Sequence, residues 1–384
     1  RRQRQMCIRD RNTGVKEIPV QYTRKQIFEF AESELLAIEN ELKAPGSNEY
    51  GRVDRVAGWF LLARMYLNAQ TWINENKYQE AYAYAVKVIA DGHYPLASDY
   101  REIFLADNNT CKEIIWPLVQ DGLRAQSSAG TNFYVKAFVN GPMDELYKTG
   151  VGSRGWGNVR AKVSLVDAFD ADDVMFDGND TWGNNKKDKR AQFMTALPNQ
   201  VKDTWDVNMD MTSTFTCGYG YIKWRNVTKE DELCPSGDAY TSIDFPLFRT
   251  ADAYLMAAEA ILRGANGTQS EALGYVNEVR TRAYMSGKYA KNGVRSDVSG
   301  EITANELNLD FLLVERQKEL ASELTRRTDL IRFGKYTKGN NWDWKNGVRL
   351  GADVDDKYNL FPIPESELTN NPTLVQNDGY KVIK

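Results

Sequence analysis

The stretch Asp244-Phe-Pro-Leu-Phe-Arg-Thr-Ala-Asp-Ala-Tyr-Leu-Met-Ala-Ala-Glu-Ala260 is the most informative about the fold, because part of it repeats a pattern found far upstream. Ala251-Asp-Ala-Tyr-Leu255 matches Ala63-Arg-Met-Tyr-Leu67. Small residues at fixed positions, with tyrosine and leucine between them, allow paired helices to pack closely, as in tetratricopeptide repeats. The repeat therefore predicts two similar helical units, far apart in the chain, that pack together.

The match continues into a second helix of each unit. Glu80-Ala81, with Tyr84 and Val88 beyond it, corresponds to Glu271-Ala272 with Tyr275 and Val279. Ala63 and Ala81 are 18 residues apart in the upstream unit, whereas Ala251 and Ala272 are 21 residues apart in the downstream unit. The difference indicates a longer loop in the downstream unit. Two helices joined by a short loop form an αα-hairpin, so each unit is expected to be one hairpin.

Helical periodicity surrounds the upstream copy. A first helix follows its N-cap, Thr23, and ends at Pro45-Gly46. A second runs from about Val53 to Asn68, and its apolar residues recur on one face. A third, from about Tyr78 to Ala90, is stopped by the turn residues that follow.

The middle of the chain has a different character. Asp121 to Asp244 is rich in Gly, Asn, Asp, Trp and Tyr, with a short helical piece at 162–169 and a short apolar run at 220–224. The predicted fold is mainly α, a tetratricopeptide-like scaffold of helical hairpins with a long loop-rich insertion that contains a few short strands. The predicted organisation is 1–11 non-native, 22–120 N-terminal helical part, 121–244 ligand-binding insertion and 245–384 C-terminal helical region.

The first eleven residues, RRQRQMCIRDR, show neither helical nor strand periodicity. They are similar to translated sequencing adapter, and they lack the apolar core that a signal peptide would place before Cys7. We therefore expect that the natural beginning of the protein is missing.

Charge and composition exclude several classes of function. A net charge of −4 disfavours nucleic acid and anionic membranes, which are bound by basic surfaces. His93 is the only histidine, and its place just past a predicted helix end favours a capping or surface role over catalysis. The four cysteines form no CxxC pair, although Cys217 and Cys234 could pair in an oxidising compartment. With a single histidine the chain cannot form a histidine-rich metal site. Any Ser-His or Cys-His catalytic site would have to use His93.

The C-terminal third carries an ordered set of motifs. They are Asp244-Phe-Pro-Leu-Phe-Arg249, Ala272-Leu-Gly-Tyr-Val-Asn-Glu-Val-Arg280, Glu315-Arg316-x-x-Glu319-Leu320-Ala321-x-Glu323, and Phe361-Pro-Ile-Pro364 with Asn371-Pro372 and Gln376-Asn377. In this order and spacing they resemble the signature of the SusD/RagB family, and the resemblance extends from Tyr22 to the end. Two positions depart from it: Leu324 stands where the family commonly has glycine, so that turn is expected to pack more tightly, and Asp378 replaces a proline.

The resemblance implies a location and partners. Such proteins are lipid-anchored on the outer leaflet of the Gram-negative outer membrane, where they pair with a SusC-like TonB-dependent transporter and pass oligosaccharides or peptides to it. It implies a glycan-binding lipoprotein, and the residues of the chain and its net charge add the expectations that it is not an enzyme and binds no nucleic acid. The lipidated cysteine of the family is expected in the missing segment.

Two acidic clusters invite other interpretations. Glu315, Glu319 and Glu323 have the spacing of one helical face, but the surrounding arginines favour an ion-pair network over catalysis. A glycosidase needs two carboxylates that face each other across a cleft. The second cluster could hold calcium, but it lacks the ligand order of an EF-hand, and a solvated acidic loop is the simpler interpretation; its members are Asp170, Asp172, Asp173, Asp177 and Asp180. No cofactor is therefore expected.

Aromatic residues on polar loops are the candidate ligand site, since a pyranose ring stacks its C–H face on a flat side chain. Trp156 and Trp182 both lie in polar, glycine-rich sequence with nothing obvious to pack against. Further candidates are Asn158, Tyr134 and Trp205, whereas Trp59, Trp116 and Trp224 lie in apolar patterns that predict burial.

Three functions remain open at this stage. The first is capture of oligosaccharides or polysaccharides for a transporter. The second is a tetratricopeptide-like scaffold, or a RagB-type lipoprotein, that engages only the transporter or a peptide. The third is a glycoside hydrolase on a helical frame, which two carboxylates about 5–10 Å apart in a cleft would identify.

Overall fold

The computed structural model describes residues 20–124, 126–139, 144, 147–174, 186–195, 219–285, 299–339, 348 and 351–381. By its internal contacts the chain forms two compact units. One comprises the described residues of 1–31 and 330–384, and the other those of 32–329. The four-part organisation drawn from the sequence remains a prediction.

The described elements are mainly helical, as predicted. The helices are α1 (Arg24–Ile38), α2 (Arg55–Ile73), α3 (Tyr78–Asp91), α4 (Thr131–Ala137), α5 (Val163–Val166), α6 (Ala171–Val174), α7 (Thr250–Leu262), α8 (Gln269–Met285), α9 (Leu309–Leu320), α10 (Arg326–Arg332) and α11 (Glu365–Asn370). The strands are β1 (Ile114–Leu118), β2 (Phe193–Thr195), β3 (Tyr219–Tyr221) and β4 (Phe245–Arg249). Short 3-10 helices lie at Tyr100–Phe104, Asn108–Thr110, Gly152–Arg154 and Asp356–Asn359.

The start of α1 is predicted correctly and its end is not. The backbone amide of Gln26 donates to Thr23 Oγ1 at 3.2 Å, and the Gln26 side chain accepts from the Thr23 amide at 2.9 Å, which completes a capping box. The helix ends at Ile38, well before Pro45, because turns follow directly.

The two hairpins form the frame of the 32–329 unit. The apolar face of α2 is buried as expected, with Phe60, Ala63 and Leu67 at most 1% exposed, and Asp54 caps the helix by accepting two backbone amides. Helix α3 ends at Gly92, whose φ of +78° suits the left-handed C-cap position. Helix α7 packs against α2, α3 and α8, so the expectation that the two hairpins pack together is confirmed.

Two strands that are far apart in the sequence, both before α7, form a two-stranded antiparallel sheet. Strand β4 pairs with β1, and Arg249, at its end, lies opposite Ile114. The Trp116 ring on β1 is half-buried and meets Phe248 edge-on with centroids 5.3 Å apart. Trp224 is only 1% exposed, which confirms its predicted place in the core.

The charged helix α9 forms a buried ion network, as predicted. The carboxylate of Glu319 accepts from Arg249 Nη1 at 2.7 Å, from Arg190 Nη1 at 3.2 Å and from Arg282 Nη2. Glu113 lies on the other side, 2.9 Å from Arg249 Nη1 and 2.7 Å from Arg282 Nη1. Burial alone would raise the pKa of Glu319, but the three guanidinium groups outweigh it and hold that pKa well below its usual range.

Glu323 does not share a helical stripe with the other two glutamates, so that part of the prediction is wrong. Helix α9 ends at Leu320, and Glu323 reaches the network from the following turn. Its carboxylate accepts from Arg249 Nε at 2.6 Å and from the ammonium of Lys223. The same turn contains Leu324 with φ +62° and 75% exposure, so the expectation of tighter packing there is also wrong.

This turn yields the first prediction. Leu324→Gly should raise the free energy of unfolding by about 1 kcal/mol, because an L side chain is strained in the left-handed region and the exposed leucine has little packing to lose. Leu324→Ala removes the same exposed side chain but keeps the strain, so it should change little. Urea unfolding of both variants tests this, and a Gly variant no more stable than the Ala variant would contradict it.

Candidate functional site

An open cleft of about 390 Å³ lies beside α4 in the 32–329 unit. Three segments form it: residues around α4, the segment around the 3-10 helix Gly152–Arg154, and the loop at 239–240. The lining residues are Ser128, Lys136, Ser153, Arg154, Gly155, Trp156, Ala239 and Tyr240.

Backbone hydrogen bonds fix Trp156 at the end of α4. The amide of Trp156 donates to the carbonyl of Lys136 at 2.8 Å, and the amide of Asn158 donates to that of Ala137 at 2.8 Å. The loop thereby satisfies carbonyls that the helix end leaves unpaired. Gly157, with φ +59°, takes a turn conformation that favours glycine.

Two exposed aromatic rings lie side by side at this point. The Trp156 side chain is 38% exposed and that of Phe133 is 43% exposed. Their ring centroids are 6.2 Å apart. Together they form an apolar surface beside a cleft whose remaining side chains are mostly polar, the arrangement that sugar rings require.

The polar wall of the cleft carries two cations. Lys136 is 5% exposed, and its Nζ donates to the Ala239 carbonyl at 2.5 Å and lies 6.0 Å from the Tyr240 ring centroid. Burial lowers the pKa of Lys136, Arg154 lowers it further, and Asp238 acts in the opposite direction. Arg154 itself donates through Nε to Asp238 Oδ1 at 3.0 Å.

The predicted ligand residues fall into three groups: those at the cleft, one packed against the core, and those outside the described residues. Trp156 lines the cleft, and Asn158 is exposed two residues further along the same loop. Tyr134 is half-buried, and its ring stacks on Trp224 with centroids 5.4 Å apart and packs on Phe245 at 5.7 Å. It therefore supports the site from the core side. Trp182 and Trp205 lie outside the described residues.

Sequence reasoning missed Phe133, Lys136, Arg154 and Tyr240. A signal was present for two of them, because Phe133 and Lys136 are three residues apart on α4 and therefore neighbours on one helical face. Arg154 directly precedes the glycine-flanked tryptophan, but its charge does not distinguish a cleft residue from an ordinary surface one.

The predicted acidic loop is described only in part. Asp173 is buried, and its carboxylate accepts from the backbone amides of Lys187 at 2.6 Å and Asp188 at 3.1 Å. Burial raises its pKa. Asp177 and Asp180 lie outside the described residues, and no metal-binding group of three or more His, Cys, Asp or Glu occurs within those that are described.

The structure places the single histidine and two of the four cysteines. His93 follows the end of α3, is exposed, and places Nδ1 2.7 Å from Asp91 Oδ1, so its predicted surface role is confirmed. Cys111 and Cys234 are free thiols, and Cys234 Sγ lies 3.1 Å from Asn226 Oδ1. Cys217, its predicted partner, lies outside the described residues, as does Cys7.

Across the described part of the chain, no helix has both the length and the apolar character needed to span a bilayer.

Comparison with known proteins gives a consistent set of relatives. The model of the SusD family matches residues 112–380. The starch-binding protein SusD of Bacteroides thetaiotaomicron is 32% identical over 95% of this chain and 67% of its own length. The SusD-like protein P25 of Formosa agariphila is 25% identical over 86% of this chain and 59% of its own length, so the chain spans roughly three fifths to two thirds of these relatives.

Solved structures share the fold at lower sequence identity. Surface glycan-binding protein A from Bacteroides thetaiotaomicron, in complex with laminarihexaose, superposes with a TM-score of 0.63 at 23% identity, covering 93% of this chain and 72% of that one. A SusD superfamily protein from Bacteroides vulgatus superposes with a TM-score of 0.66 at 19% identity, covering 96% and 69%.

Proposed function

Because the chain belongs to the SusD family, we propose that it captures oligosaccharides at the cell surface and performs no catalysis on them. Its relative SusD is named as a starch-binding protein, and a structural neighbour is a glycan-binding protein in complex with a hexasaccharide. These names support a carbohydrate ligand here, with the glycan itself set by the loops of this chain.

The observation that carries the proposal is the pair of exposed rings, Trp156 and Phe133, beside an open cleft. An exposed aromatic ring that is fixed in place offers a pyranose its flat face at little cost in conformational entropy. The hydroxyls of Ser128 and Ser153 supply hydrogen-bonding groups at the rim for the sugar's own hydroxyls.

Binding without hydrolysis also fits the composition of the cleft. A glycosidase places two carboxylates about 5–10 Å apart across the scissile bond. Among the described residues that line the cleft, none is acidic. The glutamates of α9, which could suggest an active site, are buried and already paired with arginines.

Family membership further supports a cellular role. We place the protein on the outer face of the outer membrane, held by an N-terminal lipid, where it delivers captured oligosaccharides to a SusC-like TonB-dependent transporter. Co-purification with such a transporter from the native host would test this part of the proposal independently of glycan binding.

Calorimetric titration with a panel of plant and host polysaccharides tests the binding site. Trp156→Ala should weaken binding by about tenfold or more, equivalent to about 1.4 kcal/mol, because it removes the stacking surface. Trp72→Ala is the matched control, since Trp72 has the same exposure, 37% against 38%, but lies on α2. Equal affinity of the Trp156→Ala protein and wild type would remove the site from this cleft, and a panel with no binder would favour peptide cargo.

A further inference from the structure

We propose that this cleft selects anionic sugars: the carboxylate or sulfate ester of the ligand lies against Lys136 and Arg154 while its ring stacks on Trp156. The inference rests on the proposed function and narrows it to a ligand class. Starch and laminarihexaose, the ligands in the names of the relatives, are neutral glucans, so the preference for an anionic sugar is inferred from the cleft residues of this chain alone.

Lys136 is the first observation. It is only 5% exposed, yet the acceptor of its ammonium among the described residues is neutral, the carbonyl of Ala239. No carboxylate in the described part of the chain forms an ion pair with it. The nearby carboxylate of Asp238 is paired with Arg154, so the charge of Lys136 is only partly compensated, and an anion that enters the cleft would compensate it further.

The position of the ammonium is the second observation. Its two neighbours, the Ala239 carbonyl and the Tyr240 ring, both belong to residues that line the cleft. The ammonium therefore lies at the cleft wall, where a ligand group can reach it. It differs from Lys223, whose ammonium is buried but already paired with Glu323.

The overall charge of the cleft is the third observation. Lys136 and Arg154 are the charged residues among the described lining, and both are cationic. Asp238 pairs with Arg154 at 3.0 Å from outside that lining, so one carboxylate faces two cations. After burial, Arg154 is the cause that lowers the pKa of Lys136, which indicates that the two positive charges repel each other. An anion placed between them would be attracted by both.

Geometry links this charge to the stacking surface. The carbonyl of Lys136 accepts the amide of Trp156, so the two residues are held together by a backbone hydrogen bond, and both line the cleft. A sugar stacked on Trp156 can therefore present a charged substituent to Lys136 within the same cleft. The cleft thus combines a stacking face with a charge-assisted hydrogen bond, which is stronger than a neutral one.

Matched ligand pairs test the inference by calorimetry. The pairs are polygalacturonate fragments with their methyl esters, and sulfated galactan fragments with their desulfated forms. We expect the anionic member of one pair to bind at least about tenfold more tightly than its neutral partner, as a charge-assisted hydrogen bond provides. The pair that shows the preference identifies the charged group as carboxylate or sulfate ester. The preference should shrink at high salt, because the cleft is open to solvent.

Three variants assign the preference to the cleft. Lys136→Met and Arg154→Gln should each reduce the ratio of anionic to neutral affinity severalfold. Lys112→Met makes the same change of net charge at an exposed site outside the cleft and should leave the ratio unchanged. If Lys136→Met lowers the melting temperature, Arg154→Gln carries the test alone, since the Arg154 side chain is 56% exposed.

The outcomes separate this inference from the proposed function. Equal affinity for both members of each pair, abolished by Trp156→Ala, would overturn the anionic preference and leave glycan capture intact. An equal fall in the ratio for Lys112→Met would attribute the preference to overall charge and also overturn the inference. Binding of neither member of either pair would overturn it, and the panel of plant and host polysaccharides would then decide glycan capture separately.

Discussion

Glu319→Gln should lower the free energy of unfolding by about 3–5 kcal/mol, the largest single effect expected for this protein. The substitution keeps the shape of the side chain but removes the charge that Arg190, Arg249 and Arg282 share. These guanidinium groups are at most 5% exposed, so water cannot replace the carboxylate. Glutamine also directs an amide donor at arginines that are themselves donors.

Urea unfolding, followed by circular dichroism, measures this loss. Glu230→Gln is the matched control, because Glu230 is an exposed glutamate of the same unit and its loss should change stability by less than about 0.5 kcal/mol. A loss below about 1 kcal/mol for Glu319→Gln would show that the network contributes little to stability.

The pH dependence of stability should change with the same substitution. The pKa of Glu319 is lowered in the folded state, so its ionised form contributes stability that is fully present above the unfolded glutamate pKa of about 4.3. That contribution is lost as pH falls below this value. The Glu319→Gln protein lacks it at every pH, so its stability should fall less steeply than that of wild type between about pH 5 and pH 2.

Gly150→Ala is the second large effect, with an expected loss of about 3–4 kcal/mol. A Cβ at Gly150 would lie 2.6 Å from the carbonyl oxygen of Asn226 and 2.8 Å from its carbon. The Asn226 backbone cannot easily move, because its amide donates to Thr149 at 2.8 Å and its side chain donates to the Gly150 carbonyl at 3.1 Å. The φ of +78° at Gly150 adds the strain of a left-handed L residue.

Gly92 supplies an unusually close control. Its φ is also +78°, but a Cβ there would meet nothing within 4 Å. Gly92→Ala should therefore cost only the backbone strain, about 1–2 kcal/mol. Chemical denaturation of both variants isolates the clash, and equal losses would mean that the Asn226 segment yields without cost.

The parts of the fold that were predictable are those with a local signal. The hairpin helices α2, α3, α7 and α8 follow from periodicity and from a repeat within the chain. The pairing of β1 with β4 was not predicted, because its partners, such as Ile114 and Arg249, are far apart in the sequence and neither strand alternates clearly. The sequence also did not indicate that the helix ends before Glu323. The reason is that Ser322 and Leu324 adopt positive φ without being glycine.

The site was predictable where composition is unusual. Trp156 stands out because glycines flank it and no apolar pattern surrounds it. The sequence favours Tyr134 as a ligand residue although Phe133 bears the exposed ring, because consecutive helical residues point about 100° apart and α4 is too short for its periodicity to show which side is buried. The burial of Lys136 depends on Ala239 and Tyr240, about a hundred residues away, and no local pattern reports it.

The ion network around Glu319 also has a consequence for how the chain folds. Arg249 is 136 residues from Glu113, and Arg190 is 129 residues from Glu319, so these partners meet only after large loops have closed. A partly folded state that buried some of these charges would leave others without a partner. We therefore expect the 32–329 unit to fold in one cooperative step. Because synthesis proceeds from the N-terminus, the three arginines are synthesised before α9. We expect that the nascent chain cannot complete the folding of this unit until Glu319 has been synthesised.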